Sequence, residues 1–478
     1  MILRQTMLGP VLAVALLGST ATFAGELAYP CEDISQRSRL TGFGIEVYQG
    51  DDGWFFRSNE INHAFPMSDR SATFLRRLDA VLKLHGVQLV LLPLPSKSML
   101  APAHAAAAAV AENLIFDQAY SREEFEARLE SLRALGIPVA DVLAETDKAA
   151  AEDVAYFFSQ DLHWRPELSR AAAAAAATAI EAAFPGEFPG SKTFVTRLQS
   201  EEPEIHKTSS RLFLNQLCKS TVPAETLLRY ETVEEDQSLD AFLGDDTDTA
   251  APVSVIGTSF TDETKVYNFS GFLREAIAAD VASYSIAGGN IDQSLFKWAH
   301  TGLATSGTRV LLWEIPYVDR LEAAATALQR TVVPAIAGSC IGSGSELHVT
   351  DYELDDKGGF TMTVPDAVRV SGGDFYLVAE LSDATPRGFT VTYDYRDGRR
   401  EIFPVVRESR VGAIDHVYAE LNPDIAGELG SISIRAMQAG QNSGRMALCR
   451  YPLAMPQGAG NGGPGGAELQ TAGHEVTR

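Results

Sequence analysis

The chain reads as an α/β domain built on a mostly parallel sheet, followed by a smaller all-β domain. Two observations carry this. Between about residues 40 and 335, continuous apolar runs alternate with stretches of helical periodicity, the pattern of a parallel sheet covered by helices on both faces. After Cys340 the apolar residues alternate singly, in short runs divided by Gly, Asp, Pro and Asn, which is the signature of a sandwich or barrel.

The elements follow in order. The first residues, MILRQTMLGPVLAVALLGSTATFAGELAYP, place Arg4 before the apolar stretch Met7 to Gly18 and small residues near Ala24. This predicts a secretory signal peptide over 1–24, too short for a membrane span. No later run reaches transmembrane length, so the mature chain is expected to be soluble and exported. Apolar residues at Phe74, Leu75, Leu78, Val81 and Leu82 predict a helix over 74–85. VQLVLLPLP (87–95) is a buried parallel strand by its unbroken apolar character. Ser121 with Glu124 forms a capping box that opens a helix over 121–135, and GIPVADV (136–142) reads as a second strand. The alanine block over 166–184 is helical, with Pro166 in its first turn. APVSVIG (251–257) and RVLLWEIP (309–316) are further buried strands, with helices at about 271–280 and 291–300. The stretch 186–250 lacks periodicity and carries acidic runs, which reads as a solvated surface excursion rather than a site. A catalytic domain over 25–337, a β domain over 338–455 and a Gly-rich, disordered tail over 456–478 result.

The 478 residues are 45% hydrophobic, enough for a sizeable core, and the formal net charge is −24. That charge excludes nucleic acid as a general partner, because binding it needs a cationic footprint. An anionic polymer held in one local basic groove stays open. Of the three pairings open to Cys31, Cys218, Cys340 and Cys449, Cys31–Cys218 with Cys340–Cys449 keeps each bond within one region. No C-x-x-C or spaced histidine pair points to a metal, and no cofactor is expected.

The chemistry rests on two short segments. SQDLHWRPE (159–167) places Asp161 and His163 two apart, and in extended chain such residues project to the same side. VIGTSFTDE ends a buried strand with Ser259, and ligands of open α/β sheets bind outside such strand ends. Thr261 stands where a G-x-S-x-G elbow has its second Gly, so this is a different turn. A serine hydroxyl needs an imidazole to take its proton, and the imidazole needs a carboxylate to fix its tautomer. Ser259, His163 and Asp161 supply these three groups, with backbone N–H groups of the turn as an oxyanion hole.

Asp161-Leu162-His163-Trp164, Gly257-Thr258-Ser259-Phe260, Asn268-Phe269-Ser270-Gly271-Phe272-Leu273 and Asp52-Gly53-Trp54-Phe55-Phe56-Arg57 together resemble the AlgX/AlgJ family of alginate O-acetyltransferases. The four cysteines and the β domain resemble its AlgX branch. The resemblance implies a permuted SGNH-hydrolase-like catalytic domain, with Asp-x-His ahead of the Ser, and a C-terminal all-β carbohydrate-binding sandwich. It implies Ser259 as nucleophile, His163 as general base and acid, and Asp161 as orienting carboxylate. It also implies a periplasmic location, acetyl transfer to mannuronate hydroxyls of alginate, and partners among the alginate export proteins, an outer-membrane lipoprotein included.

For the polymer, TYDYRDGRREIFPVVRESR offers Arg396, Arg399, Arg400, Arg407 and Arg410 with Tyr393 and Tyr395 between them. Arginine forks suit uronate carboxylates. Lys97 and Tyr317 follow two strands at their C-terminal ends and are expected near the crevice. Trp54 and Trp313 read as core aromatics. Two other activities fit the same residues: an acetylesterase, in which water attacks the acyl-enzyme, and a non-catalytic polysaccharide-binding component of an export complex.

Overall fold

The computed structural model describes residues 31–456, apart from 40–44, 150–153, 236–250, 407–410 and scattered runs of one to three residues. The expected signal peptide, nearly all of the Gly-rich tail, most of the acidic run at 233–248, Arg407 and Arg410 lie outside the described residues. Among the described residues no helix is long and apolar enough to cross a membrane.

Four parallel strands form the central sheet, in the order Gln88–Pro93, Val310–Ile315, Val253–Ile256, Val281–Ser283. Leu89 to Leu92 and Val310 to Trp313 are fully buried, because helices cover both faces. That is why these runs are continuously apolar rather than alternating. Helices Asp69–Leu84 and Leu321–Ala337 bring Phe74, Leu78, Leu328 and Val332 against Leu91, Leu311 and Trp313 on one face. Helices Pro166–Ala183 and Phe269–Ile277 bring Leu168, Ala172, Ala176 and Phe272 against Val90, Val255 and Leu312 on the other. Alanine gives the first of these high helix propensity at no side-chain entropy cost, and its small side chain lets the helix lie close to the sheet.

Three local expectations are corrected. The second strand expected at 136–142 reduces to one bridge, Leu91 with Val139, since Pro138 has no N–H to extend the ladder. The following-helix signal at Ser121 lies inside a helix that begins earlier, Gln118–Arg133, capped by Asp117, whose side chain accepts from the Tyr120 N–H. The stretch 186–250 is not only a solvated excursion. It contains paired strands Phe194–Leu198 and Tyr230–Glu234 and helix Ser209–Cys218, and its residues reach the candidate site.

The C-terminal domain is two antiparallel sheets face to face. One has the order Glu346–Glu353, Ser443–Arg450, Phe375–Glu380, His416–Glu420. The other has the order Gly359–Thr363, Gly427–Ala436, Gly388–Tyr395, Arg400–Val406. Leu377, Ala379 and Leu448 from the first meet Val391, Ile432 and Ile434 from the second. Disulfides join Cys31 to Cys218 and Cys340 to Cys449.

The two domains share a core. Tyr376, Val378, Tyr418 and Ala447 of the sandwich belong to the same apolar cluster as Phe74 and Leu328. Inside it lies Glu420, fully buried. Its carboxylate accepts from Arg77 Nη2 at 2.7 Å, Tyr451 Oη at 2.6 Å and Gln329 Nε2 at 3.0 Å. Arg330 donates to the Glu420 backbone carbonyl and to Glu401.

Candidate active site

The strand Val253–Ile256 delivers Gly257-Thr258-Ser259 to the C-terminal edge of the sheet. Beneath this turn sits Glu314, fully buried on the neighbouring strand. Its carboxylate accepts from the Thr258 N–H at 2.6 Å and from the hydroxyls of Thr258 and Thr261 at 3.1 and 3.3 Å. Position 257 is glycine because a Cβ there would run into the Glu314 carboxylate and Thr261 Oγ1. With the Thr258 N–H committed to Glu314, the Ser259 N–H is the candidate oxyanion donor at this strand end.

Asp161 and His163 lie in the loop that enters helix Pro166–Ala183. A bridge between Phe157 and Trp164 closes the base of that loop. Trp164 is fully buried, edge-on to Phe260 at 5.3 Å and stacked on Phe269 at 5.7 Å. The aromatic beside His163 therefore anchors the loop to the helix after Ser259. His163 Nε2 lies 2.6 Å from Ser259 Oγ, and His163 Nδ1 lies 3.0 Å from Asp161 Oδ1. With the Nδ1–H donated to Asp161, Nε2 is left to accept the serine hydroxyl proton. Ser259 and His163 are partly exposed while Asp161 is buried. The hydroxyl and the imidazole are thus open to solvent, and the carboxylate behind them is shielded.

Asp161 is gripped on both oxygens. Oδ1 also accepts from the Leu162 N–H at 2.7 Å and Ser210 Oγ at 2.8 Å. Oδ2 accepts from Thr208 Oγ1 at 2.5 Å and faces His206 Nε2 at 3.2 Å. Burial pushes its pKa up, but His163 and the hydrogen bonds from His163, His206 and Thr208 outweigh it and hold the carboxyl well below the usual aspartate range. The sequence reading missed His206, Thr208 and Ser210. A hydroxyl run ahead of the apolar LFLNQL signals a helix start, and Thr208 does cap that helix. Nothing in the local pattern says which carboxylate the run meets.

Lys97 and Tyr317 stand at the sheet edge, Lys97 buried and Tyr317 partly exposed. Lys97 is only 1% exposed. Its ammonium donates to the carbonyls of Phe55, Ser159 and Asp161 at 2.7, 3.0 and 3.0 Å, and burial lowers its pKa. Tyr317 Oη lies 2.8 Å from the Leu162 carbonyl and 3.0 Å from Glu60 Oε1, and burial with Glu60 raises its pKa well above the usual value. Both side chains hold the Asp161–His163 loop. Glu225 adds to this by accepting the N–H groups of Ser159 and Gln160.

In the sandwich, Tyr393 is fully buried with its hydroxyl on the Ala419 carbonyl, and Tyr395 is buried too. They are core, not sugar platforms. Arg396 pairs with Asp366, Arg399 with Asp397 and Arg400 with Asp394. Of the three, Arg400 lines a cavity of about 500 Å³ on the outer sheet face, with Arg435, Thr361, Thr392 and Ser433. A second cavity, of about 390 Å³, adjoins the candidate site between Asp161, Leu162, Arg57, Glu60 and Phe213. Elsewhere Asp51, Asp52 and His104 converge as potential metal ligands, but His104 is already paired with Asp51 and stacked on Trp54 at 4.6 Å.

The profile of the family described as "SGNH hydrolase-like domain, acetyltransferase AlgX" matches residues 47–317. The alginate biosynthesis protein AlgX of Pseudomonas aeruginosa is 26% identical over 388 residues, 79% of this chain and 78% of that protein. The probable alginate O-acetylase AlgJ of the same organism is 29% identical over 281 residues, 56% of this chain and 69% of that protein. The solved structure of P. aeruginosa AlgX superposes with a TM-score of 0.72 at 24% identity, covering 88% of this chain and 99% of that one, so the likeness in fold extends through the sandwich. The chain belongs to the AlgX family of SGNH hydrolase-like acetyltransferases.

Proposed function

We propose that this protein is a periplasmic O-acetyltransferase that moves acetyl groups onto mannuronate hydroxyls of alginate through an acyl-enzyme on Ser259. The observation that carries this reading is the continuous chain Ser259 Oγ, His163, Asp161 at 2.6 and 3.0 Å, at a strand end where a carbonyl can approach from solvent. Ser259 Oγ attacks the acetyl carbonyl of the donor while His163 Nε2 takes its proton. The oxyanion receives the Ser259 N–H, and His163 returns the proton to the departing donor group. A sugar hydroxyl then loses its proton to His163 and attacks the acyl carbon. The ester forms on the sugar, and His163 reprotonates Ser259.

The names of the relatives, an alginate biosynthesis protein and a probable alginate O-acetylase, support alginate as the acceptor. The half-buried Arg57 beside the site and the Arg400–Arg435 face of the sandwich offer cations for uronates on a chain of net charge −24. Two disulfides suit an oxidising compartment. Partners are proposed among the other alginate export proteins, an outer-membrane lipoprotein included.

The test compares the mature protein with Ser259→Ala on an activated acetyl ester, with and without de-acetylated mannuronate oligomers, whose mass is then measured. Acetyl on the oligomers, falling by at least about 1,000-fold in the variant, is the expected result. Release only into water, unaffected by the sugar, makes the protein an esterase. Equal turnover by both proteins removes Ser259 from the mechanism and leaves a polysaccharide-binding role.

A further inference from the structure

We propose that His206 is a positioning residue for the Asp161–His163 couple, donating its Nε2–H to Asp161 and setting the proton affinity of His163. This rests on the acyl-transfer reading of Ser259. His206 is 4% exposed, and its ring lies flat on Phe158, with centroids 3.9 Å apart and planes 9° apart. Its backbone N–H donates to the Glu225 carbonyl at 2.8 Å. The ring is therefore fixed in plane and in position, and Nε2 meets Asp161 Oδ2 at 3.2 Å. Asp161 is an acceptor, so the nitrogen facing it carries the proton.

The oxygen that His206 holds is not the one facing His163. His163 uses Oδ1 and His206 uses Oδ2. One carboxylate thus accepts from two imidazoles on opposite sides, and each donor takes up part of its negative charge. Taking His206 away concentrates that charge on the side facing His163, which favours the imidazolium over the neutral ring. It also leaves Oδ2 with Thr208 as its one remaining described donor. Other charged and titratable groups facing the couple are Lys97 on the Asp161 carbonyl, Tyr267 stacked on His163 at 5.6 Å, Tyr317 with Glu60 on Leu162, Glu225 on Ser159 and Gln160, and Arg57. None of these donates to an Asp161 side-chain oxygen.

The test pairs His206→Phe, which keeps the stacked ring, with His206→Gln, which restores an N–H donor. In His206→Phe, kcat falls about 10- to 100-fold, the scale of one lost hydrogen bond to a charged group. KM for the acetyl ester stays at its wild-type value, and the acid limb of the kcat/KM profile moves to higher pH. His206→Gln returns both kcat and the limb toward wild type. A wild-type kcat and an unmoved limb in His206→Phe, while Ser259→Ala is inactive, overturns this proposal and leaves the acyl-transfer reading intact. An active Ser259→Ala overturns that reading instead. Should His206→Phe not fold, ¹⁵N-histidine NMR of the wild-type protein decides. A histidine held as the Nε2–H tautomer that changes in Asp161→Asn supports the proposal, and its absence overturns it.

Discussion

Asp161 and Glu420 are both buried carboxylates, one in the candidate site and one at the domain junction, and they respond to burial in opposite ways. Asp161 is held well below its usual pKa, because His163 lies against it and donors surround both oxygens. Glu420 is raised by burial in spite of Arg77, Tyr451 and Gln329. The difference lies in the neighbours. Asp161 sits in a loop whose own N–H and nearby hydroxyls converge on it, whereas Glu420 is on a strand whose backbone is already committed to the sheet. Under the acyl-transfer reading, the buried charge satisfied from all sides is the one that serves chemistry. One satisfied mainly by a single opposite charge serves to hold two bodies together.

Three experiments test that contrast. The largest effect belongs to Asp161→Asn. It leaves the loop in place but removes the charge behind His163, so kcat falls about 10,000-fold, measured as acetyl transfer per folded molecule by circular dichroism. A small loss would mean that Asp161 is structural, like Glu420. Next, Arg77→Met strands Glu420 and lowers the unfolding free energy by about 3–5 kcal/mol in urea titrations. The double variant Arg77→Met, Glu420→Leu recovers most of this, and neither change alters kcat of the folded enzyme. The smallest effect is the pH slope. Asp161, depressed, contributes stability that is complete above the ordinary aspartate value of about 3.9 and is lost as pH falls through its folded value. Glu420, raised, contributes in the opposite sense, present below the ordinary glutamate value and lost as pH rises through its folded one. Urea midpoints followed from about pH 6 to about pH 3 therefore flatten on the acid side in Asp161→Asn and on the higher side in Glu420→Gln.

The parts of this architecture that the sequence made legible are those with a local cause. Strands buried on both faces are apolar throughout, so 87–95, 251–257 and 309–316 were readable, and with them the edge where Ser259 stands. Asp161 and His163 were readable because their spacing alone lets them converge. Side-chain direction at the sheet edge was not. Lys97 and Tyr317 follow their strands as expected but turn inward to carbonyls supplied by distant loops. The ion pairs of the hairpin arginines, Arg396 with Asp366, Arg399 with Asp397 and Arg400 with Asp394, could not be assigned before the fold was known. Tyr393 was a different error. Phe389, Val391, Tyr393 and Tyr395 alternate along one strand and share its buried face, so period-2 geometry alone assigns both tyrosines to the core.

The two disulfides pair the cysteines in the order in which they occur, first with second and third with fourth. Had the bonds been interleaved, a chain threaded N-terminus first into an oxidising space would pass through wrong pairs and need reshuffling. In a chain exported in that way the first two thiols to arrive are native partners, and their bond ties the helix that follows Thr208 to the N-terminal segment. Under that order the protein should mature at full yield in cells that can form disulfides but lack the enzyme that isomerises them.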